Sequence, residues 1–404
     1  MTRMPLISGS LAVLFVSICL MAVFADVEQP DKPLDVPYEP THPKVVEAML
    51  KLGNAGPGDI HYDLGCGDGR VVIMGIKKFN VKHAYGIDIN KQRLREATER
   101  AEVMGVSDKI TFANDDIFKS DFSKATLITA YLLDHINLKL RPMLFAQLRP
   151  GTRVVTHEFH MYDWIPDKIG KHAFARGERI SLWVIPAPVG GDWEWSTALK
   201  SGSVQSSMKL TQEFQNIGGS LTFKGAQASA IRNPKMDGKA ISFTAKALVN
   251  GKAVNIKYQG VANGDSISGT QVWNGGDLTG TYPWLAKRSA VNVLGKWSIE
   301  VPQKGMFNGV LSLRKEGTTK LMASFFSKDG NMEIRVHDVY LWGTSVYFRL
   351  PLTYYEFVLF KGELNNDKGT GKAFGMKAAE DYREGIYDAP SVTWNAQWSA
   401  IRLK

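Results

Sequence analysis

The chain has 404 residues, 44% hydrophobic and 22% charged, with a net charge of +9. Those figures exclude a disordered, collagen-like or fibrous chain, and the length is too great for one compact core. The two cysteines, Cys19 and Cys66, exclude a disulfide-stapled scaffold and any centre built on several thiolates. Lysines and arginines form no long run, so no nucleic-acid partner is expected.

Residues 1–25 read as a secretory signal. Arg3 supplies the positive start, Leu11 to Phe24 is apolar apart from Ser17, and Val23-Phe24-Ala25 suits a signal peptidase cutting after Ala25. The apolar run is shorter than the ~20 residues that span a bilayer as a helix. The expected location is therefore outside the cytosol, periplasmic after cleavage, with an uncleaved N-terminal membrane anchor and envelope association as the alternatives. Ile18 stands before Cys19 where a lipoprotein signal needs a small residue, which argues against lipidation. Cleavage would leave Cys66 as the one thiol.

Composition divides the rest. Residues 26–189 hold 12 glycines and two tryptophans, whereas residues 190–404 hold 25 glycines and eight tryptophans. After a proline-rich lead, Val45, Val46, Met49, Leu50 and Leu52 recur at helical spacing. Asp59 to Leu64 reads as a buried strand, followed by a glycine loop and a helix from Val71 to Phe79. His83 to Asp88 is a second strand, Arg93 to Met104 a charged helix, and Ile110 to Phe112 a third strand leading to Asp115 and Asp116. Thr126 to Leu133, Arg153 to His157 and Ile180 to Ile185 complete the strands. Alternation of this kind predicts an α/β domain over 26–189, with a Rossmann-like, mainly parallel open sheet.

The chemistry falls on the strand ends. Asp63-Leu64-Gly65-Cys66-Gly67-Asp68-Gly69 places three alternating glycines between a strand and a helix, where a backbone can approach a ligand closely. The dinucleotide fingerprint puts its third glycine one residue later. An acid beside such a loop repels a pyrophosphate but accepts hydrogen bonds from a cationic amino group. Asp88, ending the second strand, is placed to hold ribose hydroxyls, and Asp116 (or Asp115), ending the third, to accept the exocyclic amine of adenine. A nucleoside carrying a cationic amino acid and no phosphate satisfies all three acids, and S-adenosylmethionine is that molecule. The expected cofactor-binding set is Asp63, Gly65, Gly67, Gly69, Asp88 and Asp116. Tyr38 and Thr41 either close over the cofactor or belong to an extended tether. Cys66, lying inside the loop, suggests a thiol probe of cofactor occupancy.

Asp63 to Arg70, Gly86-Ile87-Asp88 and Asp116-Ile117-Phe118 resemble the first three motifs of class I S-adenosylmethionine-dependent methyltransferases. Pro37 to Thr41, Tyr131-Leu132-Leu133, Leu140-Arg141-Pro142, Pro150 to His157 and Trp164-Ile165-Pro166 extend the likeness to a bacterial group. That group is similar in layout to the mitochondrial protein-lysine methyltransferases that modify the adenine nucleotide translocase and the ATP synthase c-subunit. The resemblance covers about residues 36–189. It implies methyl transfer from S-adenosylmethionine to a protein or other amine-bearing acceptor, protein lysine among them. Cys66 stands where the family usually has serine, and Asp134 where proline follows Tyr131-Leu132-Leu133.

Candidate catalytic residues are Tyr131, Asp134 and His157, with Glu158 and His160 beside them; Tyr131 is read as the phenol that orients the acceptor. His157-Glu158-Phe159-His160 is not the zincin H-E-x-x-H, and on a strand its histidines face opposite sides, so no metal is expected. Arg93 to Arg100 reads as a solvated helix face.

The remainder repeats itself, giving two antiparallel β units over 190–289 and 290–404. Trp195 and Trp297, Tyr258 and Phe360, and Gly269 and Gly371 share an offset of 102, while Trp284 and Trp398 are 114 apart, the excess absorbed by an insertion around Ala379–Pro390. Each copy is expected to form a sandwich or barrel-like sheet, the first packed on the α/β domain. Trp195, Trp284, Trp297 and Trp398 are expected in the cores, while Trp273, Trp342 and Trp394 are freer to be surface contacts. Other functional classes fit too: a non-catalytic exported binding protein reusing the fold, whose β units take envelope or glycan ligands, or an exported enzyme of other chemistry on a related nucleoside.

Overall fold

The computed structural model describes residues 36–171, 179–316, 320–328, 333–336, 338–353, 356–377 and 391–403. The leader assigned to residues 1–25 and the insertion assigned to Ala379–Pro390 lie outside them.

The first part is one mixed sheet of β1 (Ile60–Leu64), β2 (His83–Asp88), β3 (Ile110–Asn114), β4 (Leu127–Ala130), β5 (Arg153–His157), β6 (Lys168–Lys171) and β7 (Arg179–Val184). Its strand order is β3-β2-β1-β4-β5-β7-β6. Strands β1 to β5 are parallel and β7 alone runs against its neighbours β5 and β6. Chain order reverses between β1 and β4, and the crevice outside the carboxyl ends at such a point is where open α/β sheets bind ligands.

Helix α1 (Pro43–Leu52) starts where the His42 ring accepts the Lys44 N–H at 3.2 Å and Pro43 takes the first position. Its Val45, Val46, Met49 and Leu50 pack on Leu127, Val155, Ile180 and Leu182. α2 (Arg70–Phe79) and α3 (Lys91–Val103, capped by Asn90) cover the same face further along. Among the described residues the opposite face carries one helix, α4 (Asp134–Gln147), packed through Ile136, Leu140 and Leu144. The fourth strand ends at Ala130, short of the expected Leu133, because Tyr131 to Leu133 turn into α4, whose Asn137 Nδ2 donates to the Leu132 carbonyl at 3.2 Å. Strand β6 is an addition to the expected elements.

Two nine-stranded antiparallel sheets follow. The first holds β8 (Gly191–Leu199), β9 (Gly202–Glu213), β10 (Asn216–Phe223), β11 (Ser229–Ala230), β12 (Arg232–Asp237), β13 (Ala240–Val249), β14 (Lys252–Asn263), β15 (Ser266–Asn274) and β16 (Gly280–Arg288). The second holds β17 (Gly295–Glu300), β18 (Gly309–Glu316), β19 (Lys320–Ser327), β20 (Glu333–Val336), β21 (Val339–Trp342), β22 (Ser345–Pro351), β23 (Glu356–Asn365), β24 (Lys368–Lys377) and β25 (Ser391–Leu403). Their orders, β11-β10-β9-β8-β16-β15-β14-β13-β12 and β20-β19-β18-β17-β25-β24-β23-β22-β21, are the same topology written twice. Alternate residues of β13 and β14 are buried, the period-2 signature of a sheet with one face on its core.

Register corrects the tryptophan alignment. Trp193 lies opposite Arg288 and donates to the Val189 carbonyl, as Trp297 lies opposite Arg402 and donates to Val293. Trp193 is therefore the counterpart of Trp297, and Trp195 that of Ile299; a β pattern slides easily by two residues because the facing is preserved. A second pair is mirrored. Trp273 sits opposite Gly280 in the first copy, and Gly375 opposite Trp394 in the second, so one site is filled from opposite strands. Trp273 and Trp342 are 0% and 4% exposed, so neither makes the surface contact left open to it, while Trp394 is half-buried against Phe307.

The β units cover the face that α4 leaves open. Tyr340, Trp342, Tyr347, Phe357, Leu359 and Met376 of the second copy join one core with Trp164 and Trp183, and Phe214 of the first copy enters it between them. The second unit thus supplies most of a contact that was expected from the first. Burying each such side chain contributes roughly 1.5–3 kcal/mol.

Candidate functional site

The carboxyl ends of β1 to β4 open into one cleft lined by the Tyr38–Thr41 segment, Asp63, the glycine loop, Asp88, Asp115, Asp116 and Tyr131. The loop glycines Gly65, Gly67 and Gly69 have φ of 76°, 52° and 72°, a region that penalises side chains. A Cβ on Gly67 would come within 2.6 Å of the Tyr38 ring, so Tyr38 lies directly across the loop. Arg93 stacks on that ring at 4.2 Å. Arg70 binds Asp68 through two nitrogens, at 2.8 and 2.6 Å, and donates to the Thr41 carbonyl at 2.8 Å, tying the proline-rich lead to the loop. Burial opposes the Asp68 charge, but Arg70 and Arg100 outweigh it and hold the carboxyl below its usual range.

Asp63 is the buried acid at the base of the cleft. Its Oδ1 accepts the Thr129 hydroxyl at 2.6 Å, and the Thr129 oxygen lies 2.8 Å from His61 Nε2. Burial pushes the Asp63 carboxyl up to about 7, aided by Asp88 and Asp68 and opposed by Thr129. Burial lowers His61 to about 4, so its ring is neutral and Nε2 carries the proton that reaches Thr129. Asp88 Oδ2 accepts the Gly67 N–H and Oδ1 the Asn90 N–H, both at 2.8 Å. Both Asp115 oxygens are engaged, by the Asp116 N–H and the Ser120 hydroxyl, at 2.8 Å each. Asp116 gives one oxygen to the Phe118 N–H at 2.9 Å and is half-buried on the cleft. Three acids and a glycine cradle, with Arg70 paired to Asp68 and Arg93 stacked on Tyr38, fit a nucleoside joined to an amino acid.

Cys66 is 5% exposed, and burial raises its thiol well above the ordinary range. That removes it as a reactive probe of occupancy.

The other end of the cleft is aromatic and acidic. The Tyr131 ring lies 4.0 Å from that of His157 and 6.0 Å from that of Phe159, and its hydroxyl donates to Glu158 Oε2 at 3.3 Å. His157 is buried with Nδ1 3.4 Å from the Thr41 hydroxyl, so Thr41 reaches both the glycine loop and this group. Asp134 is 5% exposed and accepts the His160 N–H at 2.8 Å. Its approach to His160 Nδ1 at 3.3 Å is not an ion pair, since burial and Arg179 hold His160 at about 4 and Nδ1 accepts the Tyr162 N–H. Asp134 thus anchors the segment after β5. Glu158 and Tyr162 take φ of 57° and 54°, and such left-handed non-glycine residues cost roughly 1–3 kcal/mol each. His61, Thr129 and Arg70 went unnoticed as site residues; a histidine inside an apolar strand was the available signal for the first.

The family model of the ANTKMT methyltransferase domain matches residues 63–168. A protein-lysine N-methyltransferase of Saccharolobus islandicus is 46% identical over 136 residues, 34% of this chain and 84% of that one. The adenine nucleotide translocase lysine N-methyltransferase of Mus musculus is 29% identical over 33% of this chain and 57% of its own length, so the chain spans little more than half of that relative. A solved structure, described as an RNA methyltransferase from Salinibacter ruber with S-adenosyl-L-homocysteine, is 41% identical and covers 37% of this chain and 94% of that one, with a TM-score of 0.35.

Proposed function

The chain belongs to the ANTKMT-type family of class I S-adenosylmethionine-dependent methyltransferases, and on that premise we propose that it methylates the side-chain amine of a protein lysine. The observation that carries the acceptor is the set at the far end of the cleft: a tyrosine hydroxyl 3.3 Å from the exposed carboxylate of Glu158, between the rings of His157 and Phe159. A carboxylate beside aromatic faces attracts an alkylammonium and can orient it.

S-adenosylmethionine supplies an activated methyl group on a sulfonium. Asp63, when ionised, would hold the cofactor's amino group, Asp88 the ribose hydroxyls and Asp116 the adenine amine, with Tyr38 across the loop. The acceptor nitrogen must lose one proton before its lone pair attacks; Glu158, on the solvent side, is placed to draw it toward water. What the chain's own residues contribute is positioning and electrostatics, which can supply most of the acceleration.

The test is transfer of labelled methyl from S-adenosylmethionine to lysine-bearing protein, read after hydrolysis. Methyl-lysine is the expected product, and label on any other residue or on RNA alone overturns the acceptor. Cofactor affinity should rise about tenfold from pH 6 to pH 8 as Asp63 ionises through about 7. Without cofactor the folded chain keeps that proton longer than the unfolded one, so this group's contribution to stability falls as pH rises from about 4 to about 7. Asp63→Asn should therefore lose cofactor binding at least a hundredfold yet melt higher at pH 8; calorimetry and thermal unfolding read the two.

We place the protein outside the cytosol on the strength of Arg3 and the apolar Leu11–Phe24 segment. Fractionation of tagged full-length protein tests this, and recovery in the cytosol would overturn it.

A further inference from the structure

Residues 158–165, which leave β5 past the acceptor end of the cleft, carry two left-handed non-glycine residues, Glu158 and Tyr162. Strained backbone of this kind persists where its surroundings over-determine it. Here those surroundings come from three places. Helix α4 supplies Asp134 to the His160 N–H at 2.8 Å, and Arg141, 0% exposed, to the Met161 carbonyl at 2.8 Å and Asp163 Oδ1 at 3.0 Å. The first β unit supplies Gln215, which accepts the Trp164 indole N–H at 2.8 Å and donates to the Ile165 carbonyl at 2.7 Å. The second unit supplies Tyr347, whose hydroxyl donates to Asp163 Oδ2, and Arg349, whose guanidinium lies 5.4 Å from the Tyr162 ring centre.

From this convergence we infer that the duplicated β unit is a positioning element for methyl transfer: it moulds the 158–165 segment and so sets Glu158 against Tyr131. The inference rests on the acceptor reading above. Tyr347 is the positioning residue of greatest leverage, because its hydroxyl meets both Asp163 of the segment and Arg141, 3.3 Å away. Neighbouring Tyr340 also accepts from Arg141, at 3.1 Å, and bonds Asp338, but has no hydrogen bond to the segment among the described residues. The two tyrosines share burial, helix partner and chemistry, and differ in the carboxylate each meets: Asp163 of the segment for Tyr347, Asp338 of the β unit itself for Tyr340.

The experiment compares Tyr347→Phe with Tyr340→Phe in the full chain. Tyr347→Phe should lower kcat at least tenfold with cofactor Kd within twofold. Amide exchange over residues 158–164 should quicken at least tenfold in the cofactor-saturated protein. Tyr340→Phe should leave kcat within twofold and exchange unchanged, even where both lower the melting temperature equally. Equal behaviour of the two variants, no effect of Tyr347→Phe, or parallel loss of cofactor affinity and turnover would each overturn the inference. Should the wild type methylate no lysine, the acceptor reading fails, and amide exchange alone still decides whether the β unit holds the segment.

Discussion

The two β units share a topology and present the same outer surface to different surroundings. Aligned through Tyr258 and Phe360, Ser242 corresponds to Tyr347, Thr244 to Arg349, Lys246 to Pro351, Asn255 to Phe357 and Lys257 to Leu359. The second-copy side chains Tyr347, Arg349, Phe357 and Leu359 are buried against the methyltransferase part. In the first copy Lys246, Asn255 and Lys257 are exposed and line an open groove with Arg232 and Asn274. The inward pairs Phe243/Phe348, Ala245/Leu350, Ile256/Val358 and Tyr258/Phe360 stay apolar in both. One strand alternation therefore encodes two separate decisions: the inner set makes the sheet, and the outer set chooses between a neighbour and water.

Reciprocal exchanges test how completely the outer set decides. Leu359→Lys puts an unpaired charge in the interface and should cost about 3–5 kcal/mol, whereas Lys257→Leu should stay within about 0.5 kcal/mol. Denaturation midpoints read both, and equal losses would break the comparison. Arg349→Thr removes a buried cation 3.6 Å over the Phe357 ring and beside Asp338, a loss of about 1.5–3 kcal/mol; Thr244→Arg should be near neutral. The smallest effect probes the inner set. The Tyr258 hydroxyl is buried with no hydrogen-bond partner among the described residues, and its counterpart is Phe360. Tyr258→Phe should therefore raise stability by about 1 kcal/mol, and Phe360→Tyr should lower it by about 1–3 kcal/mol. A destabilised Tyr258→Phe would show that the hydroxyl finds a partner in solution.

Much of the α/β part was legible because its information is local. Asp63 to Gly69 states the strand, the turn and the helix start within one short stretch, and the acids at β1, β2 and β3 need only strand order to converge. Helix α4 was harder, with Pro142 inside it and charged or polar residues buried on the same helix as its apolar ones. Asp134 read as an extra acid near the acceptor because nothing in the chain tells that the His160 N–H folds back onto it. Tyr347, Arg349 and Gln215 were invisible as site residues: their targets lie far away in sequence, and an outward strand residue looks solvated until its neighbour is known. Trp342 was left freer to be a surface contact because it does not recur in the first copy, a criterion blind to the neighbouring domain. Repeat detection succeeded on glycines and turns, which fix backbone, and slipped by two residues at Trp195, where only side-chain type guided the alignment.

The mirrored tryptophans bear on how the chain avoids tangling with itself. Tandem copies of one topology invite misassembly, in which a strand of one copy pairs with the complementary strand of the other. Were β15 to meet β25, Trp273 and Trp394 would face each other across a site that accommodates one indole; a Cβ on Gly375 would already lie 2.1 Å from Trp394. Were β24 to meet β16, Gly375 would face Gly280 and the site would be empty. Only a sheet built from its own strands receives one tryptophan and one glycine, so packing at this pair disfavours strand exchange between the two halves.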